Sequence, residues 1–194
     1  MKSICIFCGS SDDVHPAYLE GARHMGKTLA KRGIRLVYGG GKTGLMGAVA
    51  QGALDAGGEV IGVIIPSMNT PGLAQENLAR MEVTPSMHAR KARMHELAEG
   101  FIALPGGFGT FDELFETLTW AQIGEHRKPI GALNLRNYFD PLLAMIAHAE
   151  KEGFIFPEHR KNLLWDTEPD ALLDKMARFR PSEDAVRRWM RQDA

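Results

Sequence analysis

The sequence predicts an α/β protein, a doubly wound parallel sheet of about seven strands with helices on both faces. Three observations carry that reading. Short apolar runs alternate with helix-period segments along nearly the whole 194-residue chain, the rhythm of a parallel sheet wrapped by crossover helices. The runs are close to continuously apolar, as in strands covered on both faces. Two glycine-dense turns each follow a strand and open a helix, and ligands of such sheets collect beyond the carboxyl ends of the strands.

Ser3 to Cys8 is the first strand, followed by the small turn Gly9-Ser10-Ser11. A helical pattern runs from Pro16, a residue suited to a helix's first turn, to about Arg32, and Gly33 stops it. Ile34 to Tyr38 is the second strand, Gly39 to Gly44 a glycine turn, and Leu45 to Ala56 a helix of small residues that can pack closely on the sheet. Glu59 to Ile65 is the third strand, closed by Pro66. Asn69, Pro71 and Gly72 mark residues 67–79 as a loop with a short helix, and Met81 to Val83 is a short strand. Ser86 caps a helix that reaches about Glu99 and stops at Gly100. The strand Phe101 to Leu104, a helix from Phe111 to about Ile123, the strand Pro129 to Asn134 and a helix from Tyr138 to Lys151 follow. Asn162 to Trp165 is the last strand and Pro169 to Phe179 the closing helix. Residues 1–181 thus form one domain, and 182–194 a short C-terminal helix with Val186, Trp189 and Met190 at helical spacing.

With 44% hydrophobic residues the chain can bury one sizeable core without disulfide or metal staples. Lys and Arg number 23 against 24 Asp and Glu, and this balance argues against a nucleic-acid-binding surface but not against one small anionic ligand. Cys5 and Cys8 form a CxxC, yet three-residue spacing on a strand points the thiols to opposite faces, against a redox or metal role. No stretch approaches the roughly 20 apolar residues of a membrane span, and the amino terminus lacks a signal-peptide pattern, so a cytoplasmic location is expected.

The stretch Pro105-Gly106-Gly107-Phe108-Gly109-Thr110-Phe111-Asp112-Glu113 joins a buried strand to a helix start. It holds more glycine than such a turn needs. Glycines let backbone approach a ligand, and a helix start carries free N–H groups, so phosphate is the expected occupant. Thr110 to Glu113 also reads as a capping box, which gives Glu113 two candidate roles, cap or functional acid. Phe111, Leu114, Phe115 and Leu118 would form that helix's buried stripe, leaving Glu113, Glu116 and Thr117 on a face near the mouth. Arg90 falls within the stripe of Met87, Met94, Leu97 and Ala98, with Lys91 beside it. There it either meets a carboxylate or phosphate or snorkels to solvent. His88 and His95 lie two turns apart, too far to grip one metal, and read as solvated; no metal is expected.

Gly39-Gly40-Gly41-Lys42-Thr43-Gly44 matches GxGxxG and contains GKT. A P-loop would need glycine where Leu36 stands, and a dinucleotide fingerprint would need an acid where Ile65 and Pro66 stand. The turn is either a tight structural bend or a contact for a phosphorylated ligand.

These residues resemble the LOG (Lonely Guy) family, cytokinin riboside 5'-monophosphate phosphoribohydrolases formerly labelled lysine decarboxylases. Gly106 to Glu113 with the preceding Pro105 matches PGGxGTxxE, and Met87-His88-Ala89-Arg90-Lys91 matches the family's Arg-Lys pair. Tyr38 to Gly41, Gly44 to Gly47 and Thr119-Trp120-Ala121-Gln122 are similar as well. The chain departs from the family in the loop Met68 to Glu76, where Glu76 is the one acid. The resemblance implies a Rossmann-like homodimer that hydrolyses the N-glycosidic bond of AMP or an N6-modified AMP, with no cofactor. By the same resemblance Arg90 and Glu113 are catalytic, while Gly106, Gly107, Gly109, Thr110, Lys91, Asp112, Thr119 and Gly44 bind the nucleotide or its phosphate. Two alternatives use the same fold: a non-catalytic carrier of a phosphorylated cofactor such as molybdopterin, and an NAD-linked oxidoreductase.

Overall fold

The computed structural model describes residues 1–182. Alternation of strand and helix gives β1 (Ser3–Phe7), α1 (Pro16–Lys31), β2 (Arg35–Tyr38), α2 (Gly44–Asp55), β3 (Val60–Ile64) and β4 (Arg80–Val83). There follow α3 (Met87–Leu97), β5 (Phe101–Ala103), α4 (Phe108–Ile123), β6 (Ile130–Leu133), α5 (Asp140–Lys151), α6 (Pro157–Arg160), β7 (Leu163–Asp166) and α7 (Pro169–Arg178). The C-terminal helix expected from 182 onward falls on 183–194, outside the described residues.

All seven strands pair in parallel in the order β4-β3-β2-β1-β5-β6-β7. The chain winds outward from β1 in one direction, returns, and winds out in the other, which places the topological switch between β1 and β5. Residues of β1 alternate between two cores. Ile4 and Ile6 face α1, α2 and α7, whereas Cys5 and Phe7 face α3, α4 and α5. Cys8 lies on the first side, so the two thiols are buried in different layers and remain free, as their spacing requires.

The small residues of α2 serve a tighter purpose than packing on the sheet. A β-carbon at Gly26 of α1 would lie 2.0 Å from the Val49 carbonyl oxygen, and one at Gly52 of α2 would lie 2.1 Å from that of Arg23. The two helix backbones touch, and a side chain at either glycine would force them apart.

Two expectations for α4 are corrected. The helix begins at Phe108, not Phe111, with Gly107 in extended geometry (φ −96°, ψ −150°) as its N-cap and no side-chain cap. Thr110 therefore sits inside the first turn, and Glu113 is the sixth helical residue, too deep to close a capping box. The fully buried stripe is Thr110, Leu114, Thr117 and Ala121; of the expected stripe Leu114 is at its centre and Phe111 and Leu118 pack partly buried against the same core, while Phe115 is 37% exposed. Thr117 faces inward because it finds a polar partner there, His95 of α3. His95, expected in solvent, is 7% exposed, although His88 is exposed as expected.

Candidate active site

The carboxyl ends of β1, β2, β3 and β5 converge on a cavity of about 470 Å³. Its apolar wall is Met46, Ile64, Met68, Leu73 and Met87, and its polar wall comes from α3 and the start of α4.

Arg90 leaves α3 and runs beneath this cavity at 8% exposure. Its Nε donates to the Val63 carbonyl at 2.9 Å and its Nη2 to the Gly39 carbonyl at 3.3 Å, so the ends of β3 and of the turn after β2 fix the guanidinium plane. Gly39 must lack a side chain for this, because a β-carbon there would stand 2.0 Å from Arg90 Nη2. Nη1 reaches Glu113 Oε1 at 3.3 Å. The anomalous arginine of the α3 stripe is thus buried and paired, as an interior guanidinium must be.

Burial pushes the Glu113 carboxyl up from 4.5 to about 7, even though Arg90 and Lys91 pull it down; Asp112 and Glu116 add to the rise. Lys91 spans Asp112 Oδ2 at 3.1 Å and Glu116 Oε1 at 3.0 Å. Burial works against the Lys91 charge, but hydrogen bonds to Glu116 and Asp112 outweigh it and raise its pKa. A cation held in this way is not a free amine nucleophile.

The two glycine turns have different fates. At α2, Gly44 donates its backbone N–H to Asp12 Oδ1 at 2.7 Å, and the amides of Leu45 and Met46 reach the Gly9 carbonyl at 3.0 and 3.3 Å. That helix start is closed by the loop after β1. Gly44 is needed for its positive φ of 57° and because a β-carbon would meet Ser10 at 2.5 Å. It does not line the cavity, although Gly39, Gly41 and Thr43 of the same turn do.

At α4 the first-turn amides of residues 108–110 have no intrahelical acceptor and stand at the cavity. A β-carbon at Gly107 or Gly109 would meet no protein atom within 4 Å, so packing does not require glycine at either place. Gly106 is the opposite case. A β-carbon there would lie 2.1 Å from Thr110 Oγ1 and 2.6 Å from the Gly9 nitrogen. The turn is further held by Tyr138, whose hydroxyl donates to the Gly106 carbonyl at 2.5 Å, and by the Gly9 amide on the Pro105 carbonyl at 3.0 Å.

Of the residues singled out from sequence, Arg90, Lys91, Gly107, Gly109, Thr110, Asp112 and Glu113 line the cavity together. Gly106 supports it from behind. Thr119 lies outside it, exposed on the outer face of α4 with its hydroxyl donating to the Phe115 carbonyl at 2.8 Å. Glu76, the acid of the divergent loop, pairs with Lys42 at 3.4 Å and does not line the cavity. Sequence reasoning missed the apolar wall and Phe108, which is 94% exposed at the rim. Met68 and Leu73, apolar residues in a loop, were the available signal. Among the described residues no group of three or more His, Cys, Asp or Glu side chains is placed to hold a metal ion.

A parallel sheet with a switch point of this kind, opening on a glycine-lined helix start, is the architecture of Rossmann-like nucleotide-binding proteins. Solved structures with the fold include the molybdenum cofactor binding protein of Rippkaea orientalis, 25% identical with a TM-score of 0.68 over 91% of this chain and 96% of that one. The molybdenum cofactor carrier protein of Chlamydomonas reinhardtii is 21% identical, with a TM-score of 0.68 over 90% of this chain and 97% of that one. Sequence relationship is stronger elsewhere. A family model described as Possible lysine decarboxylase matches residues 46–176. The cytokinin riboside 5'-monophosphate phosphoribohydrolase LOG7 of Arabidopsis thaliana is 43% identical over 95% of this chain and 85% of its own length. The enzyme LOG of Oryza sativa subsp. japonica is 41% identical over 97% of this chain and 78% of its own length. The chain belongs to the LOG family of cytokinin riboside 5'-monophosphate phosphoribohydrolases.

Proposed function

We infer that this protein hydrolyses the N-glycosidic bond of a nucleoside 5'-monophosphate, AMP or an N6-substituted AMP such as a cytokinin riboside 5'-monophosphate, to the free base and ribose 5-phosphate. The observation that carries the reading is the buried Arg90 and Glu113 pair, 3.3 Å apart, beside the open helix start of α4. Cleavage breaks the bond between the anomeric carbon and the base nitrogen. The bonding electrons leave with the base, which takes up a proton, and a water oxygen bonds the carbon and gives up a proton. The Glu113 carboxylate stabilises the positive charge that develops at the carbon. Arg90 fixes that carboxylate, and its charge, held at the cavity by the Val63 and Gly39 carbonyls, faces the side where the base departs. The phosphate rests on the amides at Gly107, Gly109 and Thr110, with Lys91 at its side, and its binding energy positions the sugar.

A carrier of a phosphorylated cofactor such as molybdopterin shares the fold but is more distant in sequence, 21–25% against 41–43% identity. It would have no use for a buried carboxyl raised to about 7. The decarboxylase description finds no support at Lys91, whose two carboxylate partners keep it charged. A homodimer accords with the family resemblance and with exposed Phe108 and Phe115 on α4; light scattering reads it. No nucleic-acid partner is proposed, given the balanced charge. Among the described residues no helix is long and apolar enough to cross a membrane.

The test is direct. Incubation with a panel of nucleoside monophosphates should release free base, with the corresponding nucleosides turned over far more slowly. Glu113→Gln should fold and lose about 10²-fold or more in rate, and Arg90→Lys, which lacks the planar fork, should also lose most activity. Parent-level hydrolysis of AMP by either variant would refute the assignment.

A further inference from the structure

Beneath the cavity α3 and α4 meet at a polar contact separate from the ion pairs at its mouth. His95 Nε2 lies 3.0 Å from Thr117 Oγ1, and the Thr117 hydroxyl donates to the Glu113 carbonyl at 2.7 Å. A hydroxyl has one proton. With that proton on the Glu113 carbonyl, its lone pair receives an N–H from the imidazole, so His95 carries a proton at Nε2. His126 is fixed by the same reasoning. Its Nδ1 accepts from the Lys128 backbone N–H at 3.2 Å, and its Nε2 donates to the Thr117 carbonyl at 3.0 Å. Lys128 Nζ closes the group on the His95 carbonyl at 2.6 Å.

The His95 ring is wedged between Phe101 and Trp120, with centroids 4.3 and 4.5 Å away. Burial drives its pKa down to about 3, helped by His126, Lys128 and Lys91, so it holds the neutral form at working pH. Every polar group at Thr117 is thereby engaged. One of them holds the backbone at residue 113, the residue whose carboxyl meets Arg90. His95 itself stands one helical turn beyond Lys91 on the helix that carries Arg90.

We propose that His95 is a positioning residue for the Glu113 carboxyl: holding the Thr117 hydroxyl, it pins α4 against α3 one turn after residue 113 and so sets the separation of Arg90 and Glu113. In a buried site the pull of a guanidinium on a carboxylate changes steeply with distance, and misplacement of a reacting group by about 1 Å can cost on the order of 10² in rate. The groups that act on Glu113 are Arg90 and Lys91 from α3 and Asp112 and Glu116 from α4. The buried thiols of Cys5 in β1 and Cys8 after it also lie within its field. With Glu113 still buried, a loosened clamp weakens the pull of Arg90, which lowers the carboxyl, and the Glu113 pKa rises further. The effect on turnover rests on the function proposed above; the positioning does not.

The experiment follows the Glu113 carboxyl by NMR in full-length protein labelled with 13C-glutamate, alongside AMP hydrolysis. His95→Leu removes the donor and should raise the Glu113 midpoint by about half a unit or more and lower kcat by about tenfold with little change in KM. His95→Gln restores an N–H near the Nε2 position and should return the midpoint toward the parent value. Thr117→Val deletes the hydroxyl at nearly constant volume and should reproduce the His95→Leu shift; it decides the matter where His95→Leu does not fold. A Glu113 midpoint unchanged in the folded variants, even with a lowered Tm, would overturn the proposal. Absence of hydrolysis by the parent would count against the proposed activity alone, because the carboxyl titration still reads the clamp.

Discussion

Glu113 sits where burial and charge oppose each other, and burial wins. Its carboxyl titrates near 7 in the folded protein against an ordinary value of 4.5. Between these values the native state keeps a proton that the unfolded chain has released. Its contribution to stability is therefore complete below pH 4.5 and lost as pH rises through 7. Glu113→Gln mimics the protonated form at every pH. Relative to the parent it should gain roughly 3 kcal/mol of stability between pH 4.5 and pH 8, which urea unfolding at the two pH values reads; equal differences at both would show that the carboxyl is not raised. Under the proposed function, catalysis depends on the same proton with the opposite sense. The carboxylate is the form that stabilises a cationic sugar, so kcat/KM for AMP should climb through pH 7. The substrate phosphate also titrates, near 6, so the limb belonging to Glu113 is the one absent from the residual activity of Glu113→Gln. At this scale the sequence was informative about Arg90 and Glu113, because a cation inside an apolar stripe and an acid after a glycine turn are visible as residue types. It was uninformative about His95, since its partner Thr117 is far along the chain and belongs to another helix.

Two helices start at glycine turns beside the cavity, and they differ in what already occupies their free amides. α2 spends its first-turn N–H groups on Asp12 and Gly9; α4 begins at Gly107 without a side-chain cap. The open amides are those of α4, which is where the proposed function places the phosphate. Gly107→Ala adds a methyl group that meets no protein atom, so its Tm should equal the parent's while its KM for AMP rises about tenfold or more, one lost charge-assisted contact of the kind worth 1.5–3 kcal/mol. Gly106→Ala drives a methyl group into Gly9 and Thr110, and its Tm should fall. Calorimetry and steady-state kinetics separate the two. A Gly107→Ala variant with parent KM would remove the phosphate from this turn. Element boundaries were the least legible feature here. The capping-box pattern pointed to a start at Phe111, but Gly109 and Thr110 extend the helix back to Phe108, and Glu113 is drawn to Arg90 instead of to a backbone amide.

Across the whole molecule the cavity lies over the switch point, so a ligand there would bridge the ends of strands that wind in opposite directions. Binding there should stabilise the entire fold. At a hundredfold excess over its Kd, ribose 5-phosphate should add about 2.7 kcal/mol, a Tm rise of several degrees for a domain of this size, while ribose should add almost nothing. Equal shifts for the two would mean that the phosphate contributes no grip. The sequence by itself determined the α/β class, the seven strands, both glycine turns and the singling out of Arg90 and Glu113 as candidates, because local periodicity, turn chemistry and a charged residue out of place are properties of neighbouring residues; that the two meet was decided by the packing of α3 on α4. Tertiary structure alone decided that α4 and not α2 presents open amides, that Thr119 and Gly44 stand apart from the cavity, and that His95 is buried beneath it. Each of those outcomes depends on contacts between segments distant in the chain, such as Asp12 with Gly44 and His95 with Thr117, which no local pattern encodes.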